Sequence, residues 1–414
     1  MASKYQAPRG TFDVLPAGAR ARRRIEAAAS AAFARAGYEP IATPAFEDTE
    51  LFERGVGRST DIVRKEMFTF EDKGGRSITL RPEGTAPICR AYLEHGMHKL
   101  AQPVKLSYAG AFFRHERPQA GRYRQFHQLG IEAIGADSPL ADAEAIMLLA
   151  DLLAELGVPG VELRLGSLGS AGARSAYLEE LKAHLRAHEA KLSEDVRERI
   201  EINPLRAFDA DDEGTREVMA HAPTIVERLE GEDAEHFAEV RALLGAAGIE
   251  FEIDPTLVRG LDYYTRTIFS FVCAELGAQS EVGGGGRYDG LIEQLGGAPT
   301  PAVGWAAGIE RILLALGEAE DEVERDAFVA VADAGRQREA LALAAELRRA
   351  GLSAEVDLAG RGLKGQLKHA DRIGARRVLI LDADGSAQLR DMQSGDQRPI
   401  DPAAAVEAIG GGRS

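Results

Sequence analysis

Between residues 105 and 124 the chain carries Lys105, Arg114, Arg117, Arg122 and Arg124 against one acid, Glu116. A compact basic island in an otherwise acidic protein points to an anionic ligand. Two strand-like runs, residues 106–114 and 126–134, bracket a loop containing Arg, Pro and Gly, the punctuation of a hairpin with a long connection. Strand side chains alternate faces. Leu106, Tyr108, Gly110, Phe112 and Arg114 therefore share one face of the first run. Phe126, Gln128, Gly130, Glu132 and Ile134 share one face of the second. Any one of these polar residues alone fits a solvent-facing sheet. Together, beside Arg114, they make a poor hydrophobic core and a good floor for a concave binding site.

Three more segments have chemical potential. Leu257-Val258-Arg259-Gly260-Leu261-Asp262-Tyr263-Tyr264 sets one arginine among apolar, strand-like neighbours. Taken alone, it reads as an edge-strand arginine packing its stem. Gly283-Gly284-Gly285-Gly286-Arg287-Tyr288-Asp289-Gly290 lacks the Gly-Lys-Ser/Thr ending of a phosphate-binding loop, and its glycines miss the dinucleotide fingerprint. It says only that backbone passes close to something. In Gly304-Trp305-Ala306-Ala307-Gly308-Ile309-Glu310-Arg311, the arginine falls early in an apolar helix. A helix start is a poor place for a cation, so Arg311 is expected to have an anionic or stacking partner.

The elements that must position these residues alternate through the first ~150 positions. Residues 19–36 read as an amphipathic helix ended by Gly37. Residues 77–80 form a short strand running into Arg81-Pro82-Glu83-Gly84-Thr85, and Thr85 can cap a helix through His95. Residues 171–248 read as a helical, acidic insertion. Strand signals return at 265–272 and 301–305, before a helix at 309–316. A charged linker at 317–326 then gives way to strand 328–332, helix 337–350, strand 353–358, helix 363–373 and strand 377–381, a small α/β domain.

Composition excludes several classes. With 45% hydrophobic and 28% charged residues in 414, the chain can bury a sizeable core, which rules out disordered and fibrous proteins. No stretch approaches the ~18 apolar residues of a membrane span. Cys89 and Cys273 stand far apart with no Cys-x-x-Cys pair, arguing against a disulfide scaffold or cysteine zinc site. The opening Met1-Ala2-Ser3-Lys4-Tyr5 has no apolar run of a signal peptide, so the expected address is the cytoplasm. The net charge of −16 discourages a nucleic-acid reading at first, but it is unevenly spread. Residues 157–258 hold 22 acidic and 11 basic residues, whereas 326–414 hold 13 of each.

As an ensemble these pieces resemble the histidyl-tRNA synthetases, a class II aminoacyl-tRNA synthetase family. Motif 1 of that class is similar to Ala42-Thr43-Pro44, motif 2 to Phe113-Arg114-His115-Glu116-Arg117-Pro118 through Arg122-Tyr123-Arg124-Gln125-Phe126, and motif 3 to Gly304 through Arg311. Sharper likenesses are Leu257 through Tyr264 and Gly285 through Gly290. Pro8-Arg9-Gly10-Thr11-Phe12-Asp13 and Leu80 through Thr85 agree with them. The resemblance runs from about residue 5 to about 400.

The resemblance implies an α+β fold: a catalytic domain with an antiparallel sheet over 1–325, interrupted by the insertion, and an α/β anticodon-binding domain over 326–414. It implies that L-histidine is activated with ATP, with Mg2+ on the outer phosphates, and passed to tRNA(His) by a homodimer without membrane attachment. By the family's pattern Arg114 and Arg259 are catalytic, flanking the α-phosphate, and both also meet the substrate's histidine. Arg122 reaches the outer phosphates, and Phe126 and Arg311 sandwich the adenine. Glu83, Thr85 and Gln128 hold the α-ammonium group. Glu132 and Tyr264 hold the imidazole, with Tyr263 beside them. No metal ligand is assigned. Thr85 as a helix cap and Tyr288 as plain core remain open alternatives. The rival is a synthetase-like regulatory subunit of ATP phosphoribosyltransferase, whose members generally lack the anticodon domain and depart from the catalytic signatures. This chain keeps both.

Overall fold

A computed structural model describes residues 5–317 and 325–411; most of the linker expected at 317–326 lies outside them. The chain forms two compact units, Met1–Ala319 and Glu320–Ser414. In the first, the strands in chain order are β1 (Glu39–Pro40), β2 (Phe46–Asp48), β3 (Phe68–Glu71), β4 (Ser77–Leu80), β5 (Val104–Phe113) and β6 (Gln125–Ile134). They continue as β7 (Val161–Ser167), β8 (Glu252–Ile253), β9 (Thr265–Cys273), β10 (Glu281–Arg287) and β11 (Ala302–Gly308). Eight build one sheet in the order β1-β5-β6-β11-β10-β9-β7-β8, and β2-β4-β3 form a small second sheet. The large sheet is antiparallel except where the two-residue edges β1 and β8 pair in parallel.

One face of the large sheet is closed by helices. In Pro16–Arg35 the buried residues Ile25, Ala29, Ala32 and Phe33 recur at helical spacing, which lays an apolar stripe on the sheet. Phe33 meets the indole of Trp305 edge-on, with centroids 5.6 Å apart. Helix Pro139–Glu155 starts at a capping Ser138 with proline in its first position, the arrangement that leaves fewest orphan N–H groups. The odd residues Leu129, Ile131 and Ala133 of β6 join this helical core. The register pairs Leu106 with Glu132, Tyr108 with Gly130, Gly110 with Gln128 and Phe112 with Phe126. The even residues of β6 thus share the opposite face with their β5 partners, as alternation requires.

Two expectations are corrected, and one unassigned segment is placed. Residues 257–264 are not an edge strand; apart from turns and a bend they have no regular structure. The glycine run, left unassigned by sequence, forms β10, an interior strand between β9 and β11. Glycine is needed there because a Cβ at Gly284 would lie 2.6 Å from the Phe269 carbonyl oxygen and 2.8 Å from Arg259 Nη1. Thr85 is not a cap either. It is the first residue of helix Thr85–Glu94, and the Glu83 carboxylate accepts the Thr85 and Ala86 N–H groups at 2.7 and 2.9 Å. This caps the helix and places an anion at its positive end.

The region 171–248 is helical, from Ala171–Ala187 through Gly231–Ala246. In the second unit, strands β12 (Arg325–Val331), β13 (Ala354–Val356) and β14 (Ala375–Leu381) pair in parallel, with helices Gln337–Arg349 and Leu363–Arg372 between them in sequence. Two further strands, β15 (Ala387–Asp391) and β16 (Gln397–Pro399), extend this sheet antiparallel. They gave no sequence signal because Gln388, Arg390 and Asp391 interrupt any apolar run.

Candidate active site

The site face of the large sheet opens into a cavity of about 510 Å³. Nine residues singled out from sequence line it: Glu83, Thr85, Arg114, Arg122, Gln128, Arg259, Tyr263, Tyr264 and Arg311. Glu132 is fully buried, one layer beneath Thr85. Phe126 is outside the lining set, and its ring centroid lies 5.3 Å from the Arg114 guanidinium carbon.

Arginines occupy one end. Arg114, just after β5, donates from Nε to the Pro82 carbonyl at 2.9 Å. Its Nη1 lies 3.9 Å from Glu116, which also receives Arg122 at 3.3 Å. Arg259 reaches over the glycine floor to Glu281, Nη1 to Oε2 at 2.5 Å. Burial works against the charge on Arg259, but Glu281 and then Tyr264 raise its pKa above the ordinary value. Burial likewise opposes ionisation of Glu281, yet Arg259 and Arg311 hold that carboxyl below its usual range. Arg311, the third residue of helix Ile309–Leu316, donates to the Glu281 carbonyl at 2.7 Å and the Gly121 carbonyl at 3.3 Å. Next to it Glu310 accepts from the His127 backbone N–H at 2.9 Å and meets its ring at 2.7 Å. This ties the helix to β6. Fixed guanidinium groups of this kind suit phosphate oxygens, which they can bind in pairs.

Carboxylates and phenols make up another part of the site, with the Arg259 guanidinium carbon 5.7 Å from the centroid of the Tyr264 ring. Thr85 Oγ1 donates to one oxygen of Glu132 at 2.7 Å, and the Tyr288 hydroxyl bonds the other. Tyr288 is thus a core residue with a polar task. Burial pushes the Glu132 pKa up to about 8 against these two hydrogen bonds. Glycine at 304 is required beside it, since a Cβ there would collide with the Glu132 carboxylate. Burial also raises Glu83, whose Oε2 is 3.4 Å from the Tyr263 hydroxyl. Among the described residues, Gln128 Oε1 and the Tyr108 hydroxyl are buried without a hydrogen-bond partner. Buried polar atoms left unpaired are costly, and both residues line the cavity. They are therefore ready for a polar ligand.

Sequence reasoning missed several lining residues. Glu281 was hidden as the acid before an unassigned glycine run. Arg206 and Asp209 come from the insertion and reach the cavity wall, a placement with no local signal. Among the described residues, no group of three or more His, Cys, Asp or Glu side chains is arranged to hold a metal.

Comparison with known proteins follows this geometry. A family model described as histidyl-tRNA synthetase matches residues 10–312, and one described as an anticodon-binding domain matches 326–411. The histidine–tRNA ligase of Desulfitobacterium hafniense is 46% identical over 400 residues, covering 95% of this chain and 94% of that protein. That of Anaeromyxobacter dehalogenans is 49% identical over 404 residues, covering 96% and 97%. The crystal structure of apo S. aureus histidyl-tRNA synthetase superposes with a TM-score of 0.82 at 35% identity, covering 98% and 99%.

Proposed function

Because the chain belongs to the histidyl-tRNA synthetase family, we propose that its cavity performs histidine–tRNA ligation with the residues named above. In the first step the histidine carboxylate attacks the α-phosphorus of ATP, forming histidyl-adenylate and releasing pyrophosphate. In the second, a hydroxyl of the terminal ribose of tRNA attacks the histidyl carbonyl carbon, and AMP leaves. The attacking carboxylate is already an anion, so activation needs no general base. It needs positive charge where negative charge builds on phosphorus.

Arg114 and Arg259 supply that charge from two sides and are the catalytic residues of this reading. Arg122, nearer solvent, takes the outer phosphates. Arg311 and Phe126 hold the adenine by guanidinium and ring stacking. Glu83, Thr85 and Gln128 receive the α-ammonium group, and the unpartnered Gln128 Oε1 supports that role. Glu132 and Tyr264 take the imidazole nitrogens, with Tyr263 beside them. Burial pushes the Glu132 pKa up to about 8, which favours its protonated form in the free pocket, with Thr85 and Tyr288 on its two oxygens. An apolar competitor leaves these buried groups unpaired, which provides large discrimination without editing.

Mg2+ belongs to the same reading and would be held mainly by phosphate oxygens and water. When bound, it neutralises phosphate charge; no protein ligand is assigned to it. The domain division is proposed as 1–325 and 326–414, with the second domain reading the anticodon of tRNA(His). The match of an anticodon-binding model supports this. A cytoplasmic homodimer is part of the same reading. Phe46, two residues after the motif 1 segment, and Phe70, on another strand of the same small sheet, are 54% and 48% exposed and offer apolar surface for a subunit contact. No helix among the described residues is long and apolar enough to cross a membrane.

The convergence of Arg114, Arg259 and Arg311 on one cavity that also contains Glu83, Thr85 and Tyr264 carries the reading. Its test is ATP–pyrophosphate exchange with a panel of amino acids. Exchange that depends on histidine supports it. Exchange with none, or only with another amino acid, refutes it.

A further inference from the structure

The acidic insertion does more than add bulk. Its first helix, Ala171–Ala187, carries Arg174, whose Nη1 donates to the carbonyl oxygens of Asp262 at 2.9 Å and Tyr264 at 3.1 Å. These carbonyls flank Tyr263. Burial lowers the pKa of this guanidinium, with Asp262 opposing, so placing it here is costly unless its contacts return the cost. The segment it grips needs gripping. Residues 257–264 belong to no strand or helix, and no ladder of hydrogen bonds sets their path. Other contacts fix them at single points: Leu257 N–H to the Asp254 carbonyl at 3.2 Å, Asp262 N–H to the Val56 carbonyl at 3.1 Å, Ser59 to the Asp262 carboxylate, Arg259 to Glu281 and the Tyr263 hydroxyl to Glu83. Two more insertion arginines, Arg199 and Arg206, hold Asp61 at 3.2 and 2.8 Å, and Asp61 lines the same cavity.

We propose that Arg174 is a positioning residue for histidine recognition: by clamping the carbonyls on both sides of Tyr263, it sets where the Tyr263 and Tyr264 rings stand in the pocket. The insertion thereby acts on amino-acid selection. At the ATP end, Arg259 lies in the same segment but has an anchor of its own. Arg259 is fixed by Glu281, and Arg114 and Arg311 belong to other segments. Loss of the clamp therefore loosens the amino-acid end first.

The inference rests on the histidine-ligase reading, and one set of exchange measurements separates the two. Histidine-dependent exchange by the unaltered protein tests the reading. For the inference, Arg174→Ala should raise KM for histidine about ten-fold or more, with KM for ATP changed less than about two-fold. Arg174→Lys keeps the charge and can donate to both carbonyls from one nitrogen, as Nη1 does, but from a stem of different length and shape, so it should give an intermediate KM for histidine. Arg186→Ala, which removes an exposed ion pair with Glu201 on the same helix, should leave both constants unchanged. Equal rises in the two KM values would indicate general loosening and overturn the proposal, as would an unchanged KM for histidine. If Arg174→Ala does not fold, Arg174→Met, which keeps bulk but has no donor, decides: a selective rise supports the clamp, and wild-type constants overturn it.

Discussion

Arg259 and Glu281 form a close ion pair inside the cavity, Nη1 to Oε2 at 2.5 Å, although one comes from an irregular segment and the other from an interior strand. Ser270 donates to the same carboxylate oxygen at 2.9 Å, and the backbone carbonyl of Glu281 receives Arg311. One residue thus organises two of the arginines at the nucleotide end. A guanidinium has five donors, so the carboxylate can hold Arg259 by Nη1 and leave other N–H groups for phosphate.

Arg259→Ala should reduce histidine-dependent exchange by about 100-fold or more, the usual effect of losing a preorganised donor to developing charge. Circular dichroism should be unchanged. Arg259→Lys should restore little, because an ammonium lacks the fork. Wild-type turnover in the alanine variant would remove Arg259 from the chemistry.

Glu281→Gln should lower kcat by roughly ten-fold, a loss of ~1.4 kcal/mol of barrier stabilisation, because the guanidinium keeps a neutral partner in place of an ionic one. Arg259→Ala alone takes away the ionic partner of the part-exposed Glu281 carboxylate and leaves it with the Ser270 hydroxyl, a destabilising change smaller than for a fully buried pair. Arg259→Ala combined with Glu281→Gln should therefore be more stable to urea than Arg259→Ala alone, while remaining inactive. Simple additivity of the two stability changes would contradict the coupling.

Glu132 should make the ligand-free protein less stable as pH rises. Its folded pKa, about 8, exceeds the ordinary 4.5, so between these values the folded state binds the proton that the unfolded state has released. Stability falls through that window, on the order of a few kcal/mol, and levels off above it. Glu132→Gln should flatten this part of the profile. Urea titrations across the window with identical slopes for both proteins would count against a protonated Glu132.

Phe126→Leu should raise KM for ATP about five-fold, the scale of a lost aromatic–guanidinium or aromatic–adenine contact, and leave KM for histidine nearly unchanged. A rise confined to histidine would place Phe126 in the wrong half of the site.

Gly284→Ala should be far more damaging than its size suggests. The added Cβ meets the Phe269 carbonyl oxygen at 2.6 Å, so interior backbone must move, with a cost above ~3 kcal/mol. Gly245→Ala, in helix Gly231–Ala246 with nothing within 4 Å of its Cβ, should be neutral or gain ~1 kcal/mol from helix propensity. Equal thermal midpoints for the two variants would refute the close-packing account of the glycine strand.

Alternation along β5 and β6 was legible because a pleated strand has a strict period of two, so the shared face of Gln128 and Glu132 followed from spacing alone, while the register brought Tyr108 onto it. Helix Ile309–Leu316 was legible from its apolar run. The glycine strand was not, because strand signals rest on side chains and glycine has none. β15 and β16 were missed for a related reason: their polar residues break the apolar runs by which strands are recognised.

From sequence alone came the arginines, the paired strands and the segments whose likeness to one family runs almost the whole chain, because residue type and local period are properties of neighbours in sequence. The tertiary structure alone decided which charges meet. Glu281 pairs with Arg259 across 22 positions, Glu132 is caught between Thr85 and Tyr288, and Arg174 reaches from the insertion to the tyrosines. Such contacts depend on sheet order and on how the insertion folds back, and neither leaves a periodic trace in the sequence.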